Sequence, residues 1–249
     1  MTVIANAIFS SEVAALTTQP IDAVLFDLDG TLIDSVPDLA AAIDQMLQGI
    51  GKAPAGEDKV NRWVGNGASA LVKRALLDHD QGDELHQQAF ANEYDDENFS
   101  RAYAIFELTY SQRLSQATGL YPGVETVLET LTNTPIKMAL ITNKPRRFTL
   151  PLLQALNIQQ YFSEVICGDD LEYKKPHPLP VQTALKNLGV SAENALMVGD
   201  SISDVKSAQQ AGVKTIAVTY GYNHGVAISD SVNEACADVF IDRMQQLLG

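Results

Sequence analysis

The stretch Ile21-Asp22-Ala23-Val24-Leu25-Phe26-Asp27-Leu28-Asp29-Gly30-Thr31 decides how this 249-residue chain is read. Its first six residues are a short β-favouring apolar run. The run then breaks into acids, a glycine and a hydroxyl where a strand would end. Similar runs recur at 136–142, 164–167, 195–198 and 214–219, and 237–241 is a candidate additional strand. Near-continuous apolar strands of this kind suit a parallel sheet covered on both faces. Amphipathic stretches at 123–133, 146–157, 178–189 and 203–211 carry helical spacing between them. Strand and helix alternating from 121 to 220 predict βαβ units, and so an α/β, Rossmann-like doubly wound parallel sheet.

Outward from the first strand the text changes. Residues 36–118 contain no convincing strand, and Leu39, Ile43, Met46 and Leu47 recur at helical spacing. Ser35 ahead of Pro37 is read as the N-cap of that helix. The first βα connection is thus interrupted by about 80 helical residues, too many for an ordinary loop. The expected division is an N-terminal extension at 1–20, a core from 21–35 and 119–249, and an inserted α-helical cap at 36–118. Eight acids and no Lys or Arg between Ala75 and Ser100 are read as a solvated cap face.

Composition narrows the partners. The apolar fraction of 46% is that of a globular chain, and the net charge is −14. That charge argues against nucleic acid or an anionic membrane as main partner. No uninterrupted apolar stretch is long enough to span a bilayer. Cys167 and Cys236 are too few for a disulfide framework, and the first basic residue is Lys52, so the start lacks the basic region of a secretory signal. A cytoplasmic protein is expected, and both a monomer and a homodimer stay open.

In an open parallel sheet, ligands bind beyond the carboxyl ends of the strands. Here those ends carry Asp27-Leu28-Asp29-Gly30-Thr31, Thr142-Asn143-Lys144 and Gly199-Asp200-Ser201, with Asp204 one turn on and Lys174-Lys175-Pro176-His177-Pro178 between. One Asp after a strand is commonly a helix cap, but a set of them at several strand ends strains that explanation. Converging carboxylates favour a hard divalent cation, Mg²⁺ better than Zn²⁺. An Asp with a free oxygen could attack phosphorus. Each carboxylate–phosphate charge pair costs about 4 kcal/mol at 4 Å and an effective dielectric of 20. Mg²⁺ and Lys175 are the available counterweights, and Gly30 and Thr142 could supply donors to phosphoryl oxygens.

The ordered set Asp27-x-Asp29-Gly30-Thr31, Thr142, Lys175-Pro176 and Gly199-Asp200-x-x-x-Asp204 resembles the four motifs of the haloacid dehalogenase superfamily, over residues 21–220. The resemblance implies Asp27 as nucleophile and Asp29 as general acid and then base. It implies Thr142 and Lys175 on the phosphoryl group, with Asn143 beside them. Mg²⁺ would sit on the Asp27 carboxylate, the Asp29 backbone carbonyl and the Asp200 carboxylate, supported by Asp204. In the dehalogenases the second acid is absent, so Asp29 points to a phosphate ester. Trp63-Val64-Gly65-Asn66-Gly67, Thr142-Asn143-Lys144-Pro145 and Thr219-Tyr220-Gly221-Tyr222-Asn223 are similar to the phosphoglycolate phosphatase family. The N-terminal extension and Ser203 depart from that family's pattern, away from the catalytic positions.

The expected activity is therefore Mg²⁺-dependent hydrolysis of a small phosphorylated acid, 2-phosphoglycolate. A sugar-phosphate or broad-specificity phosphatase is the alternative. A phospho-Asp signalling domain is disfavoured, since its acceptor lies on a later strand and it has no large insertion. Some residues keep two readings. Lys144 could meet a substrate carboxylate or cap a helix. Gly65-Asn66-Gly67 could present N–H groups to an anion or be a plain turn. His177 is read as stiffening its loop, Trp63 as cap core, and one of Arg146 and Arg147 could face the site's mouth.

Overall fold

The computed structural model describes residues 6–78, 97–231 and 235–249. Six strands form one parallel sheet: β1 (Ala23–Phe26), β4 (Lys137–Ile141), β5 (Glu164–Ile166), β6 (Ala195–Gly199), β7 (Lys214–Val218) and β8 (Val239–Ile241). Their order is β5-β4-β1-β6-β7-β8, so β1 lies between β4 and β6. In register, Phe26 pairs with Leu140 on one side and Val198 on the other. The continuous apolar text of β1 and β6 follows from this position, for every residue of both strands is buried. The runs expected to be strands all are, most of them trimmed by a residue or two, while that at 195–198 runs one residue further, to Gly199.

Helices α6 (Val124–Thr132), α7 (Arg146–Ala155), α8 (Leu179–Leu188) and α9 (Ile202–Gln210) connect and cover these strands. One core cluster joins Val124, Val127, Leu128 and Leu131 of α6 to Val24, Phe26, Leu140 and Val198. Another joins Val181, Ala184 and Leu185 of α8 to Leu25, Ile141 and Met197. The alternation of Val24 and Phe26 with Leu25 between two clusters is the period-2 signature of a doubly covered strand. Near the N-terminus, Phe9 and Val13, the latter in the short helix α1 (Ser11–Ala14), are buried in the first cluster beside Met244 and Leu247.

After β1 the chain makes a two-residue strand β2 (Ile33–Asp34), then α2 (Val36–Gly49), α3 (Glu57–Trp63), α4 (Ala68–Leu77) and α5 (Glu97–Ser111), and returns through β3 (Gly119–Leu120). These helices form the cap. The buried residues of α2, Val36, Leu39, Ala40, Ile43, Met46 and Leu47, fall at the three-and-four spacing of one helical face. Each large one contributes roughly 1.5–3 kcal/mol by leaving water. They pack with Trp63, Leu71, Phe106 and Tyr110, while Phe148 of α7 and Tyr222 insert from the sheet side. Trp63 is thus a core residue. The acidic run read as a solvated face falls mostly at 79–96, outside the described residues.

The antiparallel pairing of β2 with β3 joins the chain's exit into the cap to its return, and the apolar patterns of 36–118 gave no sign of it. Asp38 fixes the same junction. Fully buried in the first turn of α2, one of its carboxylate oxygens accepts bonds of 2.8 Å from the N–H of Ala117, the N–H of Thr118 and the Thr118 hydroxyl. A second seam lies at the turn between α3 and α4. Gly65 there has φ +129°, and a Cβ would stand 2.8 Å from the ring of His224.

Candidate active site

The corner around Asp27 is built at the end of β1. The Asp27 N–H still bonds the Val198 carbonyl, so its side chain is carried by sheet geometry rather than by a loose loop. Asp27 Oδ1 lies 2.6 Å from Lys175 Nζ. The same ammonium donates to Asp204 Oδ1 and to the Ile141 carbonyl, both at 2.6 Å. All three of its protons are therefore placed. Asp204 turns its other oxygen to the Ser201 N–H and hydroxyl, capping α9 as in a capping box. Both Asp204 oxygens are occupied, which suits it to a supporting part.

Asp200 follows β6. Its carboxylate accepts from the Thr31 hydroxyl at 3.1 Å and from the Tyr222 N–H at 2.7 Å. Glycine is required on both sides of it. A Cβ on Gly30, whose φ is +86°, would lie 2.3 Å from Asp200 Oδ2, and one on Gly221 would lie 2.1 Å from Asp200 Cβ.

One oxygen each from Asp27, Asp200 and Asp204 gather within 4.8 Å of one another, all three residues buried. Three carboxylates there face one ammonium. Burial, and then the charge of Asp204, hold the Asp27 carboxyl well above the usual carboxylate range, and the same causes push Asp200 up to about 7. That unmet negative charge, with donors that are all oxygen, matches a hard divalent cation. Asp27 and Asp200 are the two carboxylates with capacity to hold it, since neutral groups and one Lys contact are all that engage them.

Asp29, two residues beyond Asp27, faces the opposite way, toward the cap. Its carboxylate accepts from the Ser35 hydroxyl at 2.6 Å and from Lys144 Nζ at 2.9 and 3.2 Å. Lys144 is buried, and its ammonium lies 4.8 Å from the centre of the Tyr110 ring. Burial opposes this charge, but the Asp29 carboxylate and the Tyr110 hydroxyl outweigh it and raise the Lys144 pKa. Between sheet and cap lies a cavity of about 40 Å³, bounded by Asp27, Asp29, Thr142 and Lys144 and walled by apolar side chains such as Leu71 and Phe106.

The sequence-derived residues thus gather at one place, in two halves. Asp27, Lys175, Asp200 and Asp204 make a charged corner, while Asp29, Thr142, Asn143 and Lys144 face the cavity. Thr142 Oγ1 accepts the Lys144 N–H at 3.1 Å. Asn143 Nδ2 donates to the carbonyls of Gly65 and Lys175, a cap-to-core tie, and its Oδ1 is buried without a partner.

Two expectations change. The Ser35 side chain makes no capping bond to α2, because its hydroxyl is spent on Asp29. The Lys144 side chain caps no helix either; it precedes α7, where the helix dipole repels a cation, and turns to Asp29. His177 stacks on Tyr173 and accepts the Leu179 N–H through Nδ1, consistent with stiffening its loop. Arg146 pairs with Asp170, whereas Arg147 reaches Tyr103 and Glu107 on cap helix α5. Gly65-Asn66-Gly67 is the α3–α4 turn, with Asn66 Oδ1 accepting from the buried Arg74.

Tyr222 was quoted only within a motif, yet its hydroxyl accepts the Ser35 N–H at 2.7 Å and donates to Asp34 Oδ1 at 2.9 Å. Tyr110 carried no mark beyond helical spacing. Its hydroxyl is buried with no hydrogen-bond partner among the described residues.

The family model described as haloacid dehalogenase-like hydrolase matches residues 24–218. The chain is 43% identical over 219 residues to a phosphoglycolate phosphatase of Nitrosococcus oceani, covering 88% of this chain and 93% of that one. It is 48% identical over 206 residues to a phosphoglycolate phosphatase of Pseudomonas putida, covering 81% and 71%. Among solved structures, a predicted phosphoglycolate phosphatase from Haemophilus somnus superposes with a TM-score of 0.79 at 35% identity, covering 90% of this chain and 94% of that one.

Proposed function

The chain belongs to the haloacid dehalogenase-like hydrolase family, and from that premise we propose that it hydrolyses 2-phosphoglycolate to glycolate and phosphate through a phospho-Asp27 intermediate. The observation that carries this reading is the pair Asp27 and Asp29. One carboxylate is held by Lys175 in the charged corner. The other is held over the cavity by Ser35 and Lys144.

Asp27, oriented by Lys175 on Oδ1, attacks phosphorus with its other oxygen as the ester P–O bond breaks. Asp29 gives its proton to the departing alkoxide. Asp29 then takes a proton from water, whose oxygen attacks phosphorus; the acyl phosphate bond breaks, and phosphate and the free Asp27 carboxylate result. Lys175 and Thr142 offset charge on the phosphoryl oxygens. Mg²⁺ is the cation assigned to Asp27, the Asp29 backbone carbonyl and Asp200, where it would neutralise the phosphoryl group and the nucleophile together.

The cap, which we assign to 36–118, excludes water during transfer and opens for release; 21–35 and 119–249 make the catalytic core. A cytoplasmic location goes with this reading: among the described residues no helix is long and apolar enough to cross a membrane, and both cysteines are free. The test is turnover on a panel of phosphoglycolate, hexose phosphates and nucleotides with Mg²⁺ present. Phosphoglycolate should give the highest kcat/KM; a preference for a hexose phosphate refutes the assignment.

A further inference from the structure

Every candidate carboxylate of the mechanism has a partner, but the cavity that Asp27 and Asp29 line also holds an ammonium with a donor beyond those on Asp29 and a hydroxyl without a partner among the described residues. Among the described residues Lys144 is the only Lys or Arg lining the cavity, and it is buried. Of its three N–H donors, Asp29 takes contacts at 2.9 and 3.2 Å, which leaves one. The Tyr110 hydroxyl, also lining the cavity, is buried and unpartnered, an arrangement that costs about 1–3 kcal/mol unless a ligand satisfies it. The walls around both are apolar, supplied by Leu71, Phe106 and Phe148. One cation and one hydroxyl donor backed by these apolar walls form a seat for a small anion beside the carboxylates of Asp27 and Asp29.

We propose that Lys144 and Tyr110 together bind the carboxylate of the substrate, and so select esters whose carboxylate is on the carbon next to the ester oxygen. The position follows from Asp29, which must reach the ester oxygen to protonate it. A group bound by an ammonium in hydrogen-bond contact with Asp29 is therefore separated from that oxygen by very few bonds. Two-carbon and α-branched acids fit this span, and a longer tail would meet the apolar walls. Lys144 comes from the core after β4 and Tyr110 from cap helix α5, so a bound carboxylate bridges the two bodies and favours the closed cap. Recognition of the unreacting end thus also excludes water from the reacting end. This inference rests on the phosphatase reading above.

The test pairs each acid with a neutral counterpart: phosphoglycolate with ethyl phosphate, and 2-phospholactate with isopropyl phosphate. Wild type, Lys144→Met, Lys144→Arg and Tyr110→Phe are compared by steady-state kinetics with Mg²⁺. Lys144→Met should lower kcat/KM on both members of each pair, because Asp29 loses a partner, but on the acids at least 10-fold more than on the neutral esters, and Lys144→Arg should retain a preference for acids. Tyr110→Phe, which leaves Asp29 untouched, should cost the acids about 5- to 10-fold through KM and the neutral esters nothing. Equal losses on acid and neutral members of a pair overturn the proposal, because Lys144 would then act only by holding Asp29. If phosphoglycolate is not hydrolysed but other esters are, the substrate assignment fails alone, and the 2-phospholactate pair decides the role of Lys144. If no ester is hydrolysed, calorimetric titration with phosphoglycolate decides it: weaker binding to Lys144→Met supports the proposal, and unchanged binding overturns it.

Discussion

Lys175 Nζ stands 2.6 Å from Asp27 Oδ1 and 2.6 Å from Asp204 Oδ1, so one ammonium separates two buried carboxylates. Lys175→Met leaves those carboxylates facing each other. Removing one partner of a buried ionic set typically costs about 3–5 kcal/mol. We expect a loss of that order in urea denaturation, together with loss of phosphate release. A variant of wild-type stability would mean that Asp27 and Asp204 are compensated elsewhere.

Asp27→Asn removes the attacking oxygen and keeps the shape. Phosphate release from every ester should drop below about 1% of wild type while the fold persists, since less negative charge is buried. Colorimetric phosphate assay and circular dichroism check both halves of the expectation.

Chelation should stop turnover, and added Mg²⁺ should restore it. Metal binding to the folded form also raises stability, by about 2.7 kcal/mol when free metal is 100 times its Kd. The melting temperature should therefore climb with Mg²⁺ concentration. EDTA-resistant turnover would remove the metal from Asp27 and Asp200.

Gly30→Ala places a methyl group 2.3 Å from Asp200 Oδ2 at a φ of +86°. Backbone strain alone costs about 1–3 kcal/mol, and Asp200 has to move. A stability loss with at least 100-fold lower kcat is expected, and near-normal kcat would show that the Asp200 position is not critical.

His224 carries the pH dependence. Burial, then the charge of Arg74, lowers its pKa to about 4. The unfolded imidazole titrates near 6.5, so between these values the unfolded chain binds the extra proton. The His224 contribution is full above about pH 6.5 and is lost as pH drops toward 4, by at most about 3 kcal/mol for this group. The raised carboxyls of Asp27 and Asp200 act in the opposite sense over the same range, so the readout is the difference in urea midpoint between wild type and His224→Gln, which should change steadily from pH 7.5 to 4.5.

The gathering of Asp27, Asp200 and Asp204 was legible because burial and chemistry conflict there. Asp27 and Asp200 end strands that are otherwise wholly apolar, and only a function explains acids at those points. The sheet was legible for a related reason, its strands being buried on both faces. Ser35 stands at the N-cap of α2 as its place before Pro37 suggests, but only the fold shows that its hydroxyl goes to Asp29 rather than to the helix. Tyr110 sits in an ordinary amphipathic pattern, and its isolation in the cavity depends on Lys144, a residue of the core. The β2–β3 pairing escaped because two residues are too few to show a period.

The central place of β1 has a consequence for synthesis. Asp27 emerges from the ribosome early, but Lys175 lies 148 residues later, and Thr31 waits 169 residues for Asp200. A nascent chain that ends before residue 175 carries Asp27 with neither its cation nor its second acid, and one that stops short of β6 still lacks Asp200. Such long-range pairings form late and slowly. The corner around Asp27 is therefore complete only once β6 has docked beside β1, late in translation.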